Sequence, residues 1–525
     1  MIKNLYSCLL SLFLLLLLLM LTGTIYSNSY HIDQINGKDS NDGLSPKTPW
    51  ASLEKVNGFT FKPGDSIFFK SGTTYFGRLK PKGSGKADAV IVIDKYGEGV
   101  KPCIQGEGKF NEALLLENVE YWEVNNLDIS NKGVDVAPGR RGVLVKAENF
   151  GECHHIYLRN LSVHDVNGSL VKSKGGGSAI FWKNSGDSIP TRFVDLRIEN
   201  CHLFRCERNG INSGGYTSRR NWYPSLQVVI KNNLLEEIPG DGIVPIGCDG
   251  AVVENNIMRN CPDILPFDEA AAGIWPWSCD NTLIQFNEVS GHNAKWDGQG
   301  FDSDWNCRNT VIQYNYSHDN AGGFLLICNS GSTLGTPGNI GTINTIVRYN
   351  VSINDGIRTY PTRGGKWFSP VFHISGPCEG SQIYNNLIIM PARTADSIDS
   401  DIIKMGNWGG PWPTKTLVAN NIFYVLGKAG FDLGQSTGTN FEYNNYFGSI
   451  ANLPADQHAV FSDPLLVNVS ARGNGFDVLK NFMLTKKSPC LYAGSGISAG
   501  VADIFNQLPQ KSKAPSIGIS QKNFK

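Results

Sequence analysis

The chain has 525 residues, of which 58 are Gly and 25 are Pro, and its 47 Lys and Arg balance 47 Asp and Glu. Charged residues make up 18% of the chain, below the roughly 25% of an average globular protein. This composition excludes a long coiled coil and a disordered acidic or basic chain, and the zero net charge argues against broad electrostatic binding to nucleic acid.

The first 27 residues have the pattern of a secretory signal peptide. Lys3 precedes an apolar run from Cys8 to Leu21, and small or polar residues follow. This is the order of the charged, apolar and cleavage regions of an export signal. A retained membrane anchor is the alternative, but the run is shorter than the roughly 20 residues that span a bilayer. We therefore expect a secreted or periplasmic protein with no stable membrane span after cleavage.

Further along, the chain repeats an apolar-alternating strand, an Asn and a second apolar stretch. The Asn markers are spaced by 23 to 40 residues, and they are Asn125, Asn160, Asn200, Asn232, Asn255, Asn287, Asn315, Asn350, Asn385, Asn420 and Asn444. The shortest steps exclude the four-stranded blades of a β-propeller, which take about 40–45 residues. They suit a parallel β-solenoid, in which each coil buries its face against its neighbours. Asn tolerates the left-handed φ of a tight turn, and stacked Asn side chains can hydrogen-bond along the axis.

Motifs at both ends of the chain carry a family resemblance. They are residues 31–57, KPGDSIFFKSG at 62–72, SDPLL at 462–466, SPCLYAG at 488–494 and PSIGIS at 515–520. On these motifs the sequence resembles the secreted right-handed parallel β-helix proteins of the pectate-lyase-like superfamily. The resemblance implies an all-β fold with one right-handed parallel β-helix. It also implies a polysaccharide-active hydrolase or lyase, but the polygalacturonase catalytic pattern is not reproduced, so no catalytic residue follows from it.

Within this fold we expect four parts along the chain. They are the signal peptide at 1–27, an N-terminal cap and first coils at 28–110, coils with the active face at 111–450, and C-terminal coils and a tail at 451–525. Loops at 163–180 and 354–370 could wall a groove. A monomer is expected.

A second strand in each coil predicts the functional face. We align the coils on an apolar residue at Ile211, Ile243, Ile274, Phe301, Phe324, Phe372, Ile403 and Phe431. Because neighbouring strand residues point to opposite faces, the outward stack then reads Asn212, Val244, Trp275, Asp302, Leu325, His373, Lys404 and Asp432. Two residues further on, the same face carries Ile246, Trp277, Asp304 and Ile327. The two Trp should therefore lie one coil from the two Asp, at about 4.8 Å.

This face predicts a carbohydrate site. Sugars stack their apolar C–H faces on exposed Trp rings, so Trp275 and Trp277 are candidate substrate-binding residues. Loops that bury these rings, with the Asp residues capping turns, are the alternative. His292 lies on the loop that leads into Asp302 and could reach the site.

The segment from Asp263 to Asp304 contains eight carboxylates, and Lys295 is its only Lys or Arg. Crowded carboxylates raise one another's pKa, which can produce a general acid at neutral pH. Glycoside hydrolysis needs one protonated carboxylic acid and one carboxylate. Asp302, Asp304 and Asp241 are the candidates for this pair.

β-Elimination on a uronic acid, or a related dehydration, is the competing chemistry. His373 or Lys404 could be the base, and Arg363 and Lys366 could hold an anionic sugar. A Ca²⁺ ion could then neutralise the sugar carboxylate, with the oxygen ligands that it prefers coming from Asp268, Glu269 and Asp297. The acidic centre of the face disfavours this reading, because without a metal it would repel a polyuronate. A glycan-binding module or adhesin is a third possibility, but the paired Asp residues favour a hydrolase that acts on a polysaccharide or oligosaccharide.

Five cysteines recur four to six residues after the aligned apolar position: Cys248, Cys279, Cys307, Cys328 and Cys378. They predict an inward packing ladder, with disulfides between coils as the alternative in an exported protein. Cys201 and Cys206 are close enough in sequence to pair.

Overall fold

Successive coils of the chain stack in parallel, strand on strand, into a β-helix. The structure is a computed structural model that describes residues 27–336, 338–362, 365, 367–393 and 400–522. The predicted signal peptide lies outside these residues except for Ser27, and so do the predicted binding residues Arg363 and Lys366. The predicted all-β solenoid is confirmed.

Three sheets run along the β-helix. Sheet 1 is formed by Ser29–Ile32, Ser66–Lys70, Ile91–Tyr96, Trp122–Asn125, Glu152–Arg159, Arg192–Glu199, Val229–Lys231, Val252–Glu254, Leu283–Gln285, Val311–Gln313, Ile346–Arg348, Gln382–Tyr384, Leu417–Ala419 and Asn440–Glu442. Sheet 2 is formed by Thr74–Phe76, Cys103–Gln105, Asp128–Asn131, Ser162–Val166, His202–Cys206, Leu234–Glu236, Ile257–Arg259, Glu288–Ser290, Tyr316–His318, Val351–Ile353, Leu387–Met390, Ile422–Asp432 and Asn445–Ala451. Sheet 3 is formed by Glu112–Glu117, Arg141–Glu148, Ser178–Ser185, Asn209–Gly214, Ile243–Val244, Gln299–Ser303, Gly323–Cys328, Phe372–Ser375 and Asp401–Gly406.

Smaller elements complete the coils. The long strand Ile422–Asp432 pairs with sheet 2 at its start and with sheet 3 at its end. Short parallel pairs are formed by Ser225–Leu226 with Cys248–Asp249, Ala270–Ala271 with Trp296–Asp297, and Thr342–Ile343 with Cys378–Glu379. The helices of the described chain are the α-helix Leu53–Gly58 and the 3-10 helices Lys172–Lys174, Arg219–Asn221, Gly331–Thr333, Phe476–Phe482 and Gly496–Ser498.

The core lies inside the coils, where one apolar residue per strand stacks on its counterparts in the next coils. In sheet 1 this interior row reads Val253, Ile284, Ile312, Val347, Ile383 and Val418, all buried. In sheet 3 the close approach of the coils requires glycine before the interior residue. A Cβ atom on Gly273 would lie 2.3 Å from the carbonyl oxygen of Gly300, which explains the Gly–apolar pairs on which the coils were aligned.

The Asn side chains form a buried ladder at the turn between sheets 1 and 2. Its rungs are Asn233, Asn256, Asn287, Asn315, Asn350, Asn386, Asn421 and Asn444, and each Nδ2 donates to the Oδ1 of the next rung at 2.9–3.1 Å. In four coils the rung is the residue after the predicted marker. The marker itself then takes the left-handed turn, with φ of 54–57° at Asn232, Asn255, Asn385 and Asn420. In an Asn-Asn pair, the first Asn therefore forms the left-handed turn and the second forms the rung of the ladder.

The predicted alignment of sheet 3 fails at one coil. Ile274 bridges Ile243 and Phe301 as expected, but Phe301 pairs with Leu325 and not with Phe324. Gly323 has a φ of 111° and follows another Gly, so the coil contains one residue more before the interior position. A slip of one residue reverses the face of every later side chain in a strand. Leu326 and Cys328 therefore occupy the outward positions that were predicted for Leu325 and Ile327.

This slip also changes the cysteine ladder. Cys248, Cys279 and Cys307 stack inward as predicted, and the Cys248 amide lies 3.3 Å from the Cys279 sulfur. The next rung is Thr342, which pairs with Cys378, so Cys328 is not part of the ladder. The cysteines in the described chain are all free thiols, and Cys201 and Cys206 do not form the suggested pair.

The C-terminal residues run back along sheet 2 instead of adding the predicted further coils. After a single parallel bridge between Asn445 and Val460, the tail covers the outer face of the middle coils. The Tyr314 hydroxyl donates to the Ala502 carbonyl at 2.7 Å. Among the described residues, no helix has the length and apolar character needed to cross a membrane.

Candidate functional site

Sheet 3 gathers carboxylates near the middle of the β-helix. Asp302 lies on the strand Gln299–Ser303, Asp304 directly follows that strand, and Asp241 precedes the strand Ile243–Val244 two coils away. Asp297, which sequence analysis considered only as a metal ligand, lies on the short strand before Asp302. The four carboxylates influence one another's ionisation, so they form one electrostatic cluster.

Asp302 is enclosed by the protein. Its side chain is 3% exposed, and its Oδ1 is buried without a hydrogen-bond partner. Burial, followed by the negative charges of Asp297, Asp304 and Asp241, raises the pKa of Asp302 well above its usual value. Low dielectric and like charges both favour the uncharged acid at Asp302.

Asp241 is the ionised member of the cluster. Burial acts to raise its pKa, but the positive charges of Lys172 and Arg208 outweigh burial and lower the pKa of Asp241. Lys172 Nζ lies 3.4 Å and Arg208 Nη2 lies 3.7 Å from Asp241 Oδ2. The Trp275 indole donates to the other oxygen at 3.2 Å. Asp241 is fully buried in this network, so it is not open to a substrate.

Lys172 extends over the cluster from a loop that sequence analysis predicted as a groove wall. Its Nζ lies 5.3 Å from the centroid of the Trp275 ring, and its side chain is half exposed. Its charge acts to lower the pKa of each of the four carboxylates. This lysine therefore places one positive charge that acts on the whole cluster.

The pKa of Asp297 lies in the range expected of a general acid. Burial raises its pKa to about 7, against the opposing charge of Lys172. Its side chain is nevertheless partly accessible and lines a cavity beside sheet 3. Among the described residues, none donates a hydrogen bond to its carboxylate. A carboxyl group that titrates near the working pH is suited to proton transfer.

The loop that carries Asp297 is held by the buried guanidinium of Arg358. This group donates to the backbone oxygens of Ala294 at 3.1 Å, Lys295 at 2.8 Å and Asp297 at 2.6 Å, and to Ser369 Oγ at 3.1 Å. Asp297 has a left-handed φ of 63°, which non-glycine residues rarely adopt. Arg358 fixes this backbone conformation from the second predicted wall loop.

Asp304 is partly exposed and is oriented by two donors. The Trp305 amide donates to Asp304 Oδ1 at 2.6 Å, and the Cys328 thiol donates to the same oxygen at 2.9 Å. Among the described residues, nothing donates to its Oδ2. Burial raises the pKa of Asp304, while these two hydrogen bonds and Lys172 act to lower it. One carboxylate oxygen is thus fixed by hydrogen bonds and the other is not.

A cavity of about 570 Å³ opens beside Asp297 and continues along sheet 3. Aromatic and polar residues line it together: Trp296, Asp297, Gln299, Arg358, Thr362, Phe368, His373, Lys404, Met405, Gly406, Asn407, Trp408 and Trp412. Its size is typical of small-molecule sites, which span about 300–1,000 Å³. Aromatic rings beside polar groups are the surfaces that bind sugars.

His373 and Lys404 lie in this cavity on adjacent strands. Burial, followed by the Lys404 charge, lowers the pKa of His373 to about 3, so the imidazole is neutral at neutral pH. Its ring packs against Phe368 and Trp408, with centroid distances of 4.8 and 5.4 Å. Lys404 forms ion pairs with Asp401 at 2.6 Å and with Asp432 at 3.5 Å.

The predicted sugar-stacking residues are less open than expected. Trp275 is 5% exposed, because it packs against Val244 and Ala272 and lies under Lys172. Trp277 is partly exposed and stacks edge-on against Trp305, with centroids 6.0 Å apart. His292 is fully buried and bonds the Gly240 carbonyl at 2.9 Å, so it cannot touch a substrate directly.

The predicted metal ligands do not converge. Asp268 lies exposed in a turn, whereas Glu269 pairs with Arg208 at 3.2 Å and accepts the Lys172 amide at 2.9 Å. Within the described ranges, no group of three or more His, Cys, Asp or Glu side chains has the geometry of a metal site.

Lys172, Arg358, Trp408 and Trp412 were not predicted from the sequence, and Cys328 was predicted only as a member of the inward ladder. The two basic residues belong to loops whose length was noticed but whose path no repeat could predict. Trp408 and Trp412 follow the aligned strand of Lys404 in a Gly- and Pro-rich turn, and that spacing was the one available signal.

Comparison with known proteins agrees with this architecture. A family model for the right-handed beta helix region matches residues 178–357. The chain is 27% identical, over an alignment of 558 positions, to a lacto-N-biosidase of Bifidobacterium longum subsp. longum. That alignment covers 86% of this chain and 32% of the other protein, so the chain spans about a third of this curated relative's length.

Two solved structures are also similar. The GH136 lacto-N-biosidase from Eubacterium ramulus, in its native form, is 25% identical with a TM-score of 0.59, covering 81% of this chain and 68% of that chain. XylC in complex with xylose is 14% identical with a TM-score of 0.51, covering 94% of this chain and 98% of that chain. The second similarity concerns the fold alone. The chain is therefore a right-handed parallel β-helix, as the sequence resemblance implied.

Proposed function

We propose that this right-handed parallel β-helix is an exported glycoside hydrolase that acts on an oligosaccharide, with Asp297 as the general acid and Asp304 as the second carboxylate. The observation that carries the proposal is the contrast between these two side chains. Both are partly exposed, but Asp297 has a pKa of about 7 and no donor on its carboxylate, whereas Asp304 is held by two donors.

Glycosidases give two such carboxyl groups different roles in the reaction. The protonated acid gives its proton to the glycosidic oxygen as the bond to the anomeric carbon breaks. The ionised partner either attacks that carbon or removes a proton from the attacking water. In this site the hydrogen-bonded Oδ1 of Asp304 is fixed and Oδ2 is left for that role. The raised pKa of Asp302 beside it disfavours a further negative charge next to the reacting carboxylate.

Two observations support a saccharide substrate. The cavity beside Asp297 combines Trp296, Trp408 and Trp412 with a neutral imidazole at His373, and aromatic rings with uncharged polar groups suit a neutral sugar. The relatives that share the most sequence among those described above are named lacto-N-biosidases. Lacto-N-biosides are therefore the first substrates to test, with neutral polysaccharides as the second class.

Elimination chemistry has weaker support. A catalytic base needs a pKa near the working pH, and the pKa of His373 is only about 3. Lys404, the other candidate base, is engaged in two ion pairs. Arg363 and Lys366, the candidate anion-binding residues, lie outside the described chain.

The test is hydrolysis of a chromogenic lacto-N-bioside by the purified protein and by matched Asn variants. Asp297→Asn and Asp304→Asn should each lose at least about 1,000-fold in kcat, while the control Asp268→Asn, in an exposed turn, should keep full activity. Azide is also added to each inactive variant, and NMR determines which anomer of the product forms. Together these two measurements assign each carboxylate its role.

Two results would refute the proposal. One is full activity in both Asn variants. The other is a rise in absorbance near 235 nm on uronic-acid polysaccharides without any hydrolysis, which would mean elimination. A protein that binds the glycan but releases no product under any condition would be a binding module. Export is tested separately, by N-terminal sequencing of the protein recovered outside the cytoplasm.

A further inference from the structure

The outward face of sheet 3 carries one cysteine beside the candidate active site. Ser303 pairs with Ile327, so Cys328 lies opposite Asp304, on the strand of the next coil. The extra residue at Gly322–Gly323 produces this position, because without it Cys328 would point inward with the other ladder cysteines. The thiol instead contacts Asp304 Oδ1 at 2.9 Å.

The arrangement around the two residues is rigid. Cys328 is 3% exposed, and the Thr342 hydroxyl lies 3.1 Å from the Asp304 carbonyl oxygen and 2.8 Å from the Cys328 carbonyl oxygen. One hydroxyl therefore ties the two strand ends together. The Trp305 amide shares Oδ1 with the thiol, so both donors act on the same carboxylate oxygen.

The thiol can act only as a donor here. Burial, and then the negative charge of Asp304, raises the pKa of Cys328 well above its ordinary value, so the sulfur keeps its proton at every working pH. A donor to the ionised form of a carboxylate stabilises that form. Asp302, in the same cluster, has no donor at its buried Oδ1, and its pKa is raised well above the ordinary range.

We propose that Cys328 is a positioning residue for Asp304: its thiol donates to Oδ1, which favours the ionised carboxylate and leaves Oδ2 as the reactive oxygen. The inference rests on the proposed role of Asp304 in hydrolysis. The other groups that act on Asp304 are the Trp305 amide, Lys172 and Asp241, and substitutions at Cys328 leave all three in place.

The experiment compares kcat and KM across pH for Cys328→Ala, Cys328→Ser and the control Cys201→Ala. Cys201 is equally buried but contacts only backbone oxygens of Leu158 and Glu199. In Cys328→Ala the loss of the donor should raise the pKa of Asp304. The acid limb of the kcat/KM profile should therefore move to higher pH, kcat should fall roughly 10- to 100-fold, and KM should change little.

Cys328→Ser supplies an O–H donor in place of S–H, so it should return the acid limb toward its original position. Cys201→Ala should keep both the rate and the profile. If Cys328→Ala does not fold, as judged by circular dichroism, Cys328→Val fills more of the thiol's volume without a donor and takes its place.

Two patterns overturn the inference. One is an unshifted pH profile in the folded donor-free variant, and the other is a Ser variant that behaves like Ala. If Asp304→Asn is inactive while Cys328→Ala matches the unmodified protein, only the positioning role fails. If Asp304→Asn stays active, the proposed function itself fails.

Discussion

Replacing Asn315 by Ala should destabilise the β-helix strongly without touching the candidate site. Asn315 is a middle rung of the buried ladder and takes part in four side-chain hydrogen bonds. Its Nδ2 donates to Asn350 Oδ1 and to the Ile284 carbonyl, both at 3.0 Å. Its Oδ1 accepts the Asn287 amide at 3.0 Å and Asn287 Nδ2 at 3.1 Å.

The magnitude follows from these contacts. Each hydrogen bond contributes about 1 kcal/mol net, so the four together contribute about 4 kcal/mol. The Asn287 amide would in addition lose its acceptor in a dry interior, which is the costlier kind of loss. Asn315→Asp keeps the acceptor oxygen and the side-chain volume but faces Asn350 Oδ1 with another oxygen. At low pH its free energy of unfolding should therefore lie between those of the Ala variant and the unmodified protein. As pH rises, it should approach that of the Ala variant.

Equilibrium urea unfolding, followed by Trp fluorescence and circular dichroism, measures the change. The matched control is Asn309→Gly, on an exposed row where Asn309 bonds Asn281 and Asn344 at 3.1 and 3.3 Å. Gly accepts the left-handed φ of 54° at that position, so the control should lose less than about 1 kcal/mol. If Asn315→Ala is no more destabilised than this control, the ladder does not hold the coils together as argued.

Three further outcomes are expected. Lys172→Met removes a charge that lowers the pKa of every carboxylate in the cluster, so both limbs of the kcat/KM profile should move to higher pH; an unshifted profile contradicts this. Trp408→Ala removes a half-exposed cavity ring and should raise KM about three- to tenfold with little change in kcat, measured by initial rates. Hydrogen bonds to Asp319 and Glu288 outweigh burial and raise the pKa of His318 to about 9. The stabilisation is therefore complete below about pH 6.5 and is lost as pH rises through about 9, so the Tm deficit of His318→Gln should be larger at pH 6 than at pH 10.

The fold could be predicted from the sequence because a solenoid repeats its signals. Strand periodicity, the Asn markers and the Gly–apolar pairs recur in coil after coil, so an error at one of them does not propagate. Within the coils the errors are of a single residue. In Asn232-Asn233 the marker and the rung are neighbours, and both residues suit either role until the φ of 57° at Asn232 separates them.

Only those residues of the candidate site that lie on the repeating strands could be predicted from the sequence. Asp302 and Asp304 were placed on the outward face because their strand is regular. Lys172 and Arg358 come from loops 163–180 and 354–370, whose residues reach the site by tertiary contacts that no periodic pattern encodes. The role now proposed for Asp297 was not predicted for a related reason. Its left-handed φ, fixed by Arg358, interrupts the alternation of faces by which Asp302 and Asp304 were identified.

The carboxylate cluster and the rigid coils depend on each other. Coils about 4.8 Å apart keep Asp241, Asp297, Asp302 and Asp304 close, and the Asn ladder prevents them from separating to relieve their repulsion. Burial and this repulsion instead raise the pKa of Asp302 and of Asp297, the latter to about 7. A more flexible fold would lower that pKa by letting the carboxylates move apart into water. The stacking that determines the fold is thus also what keeps the pKa of Asp297 near 7 beside Asp304, whose Oδ1 is held by two donors.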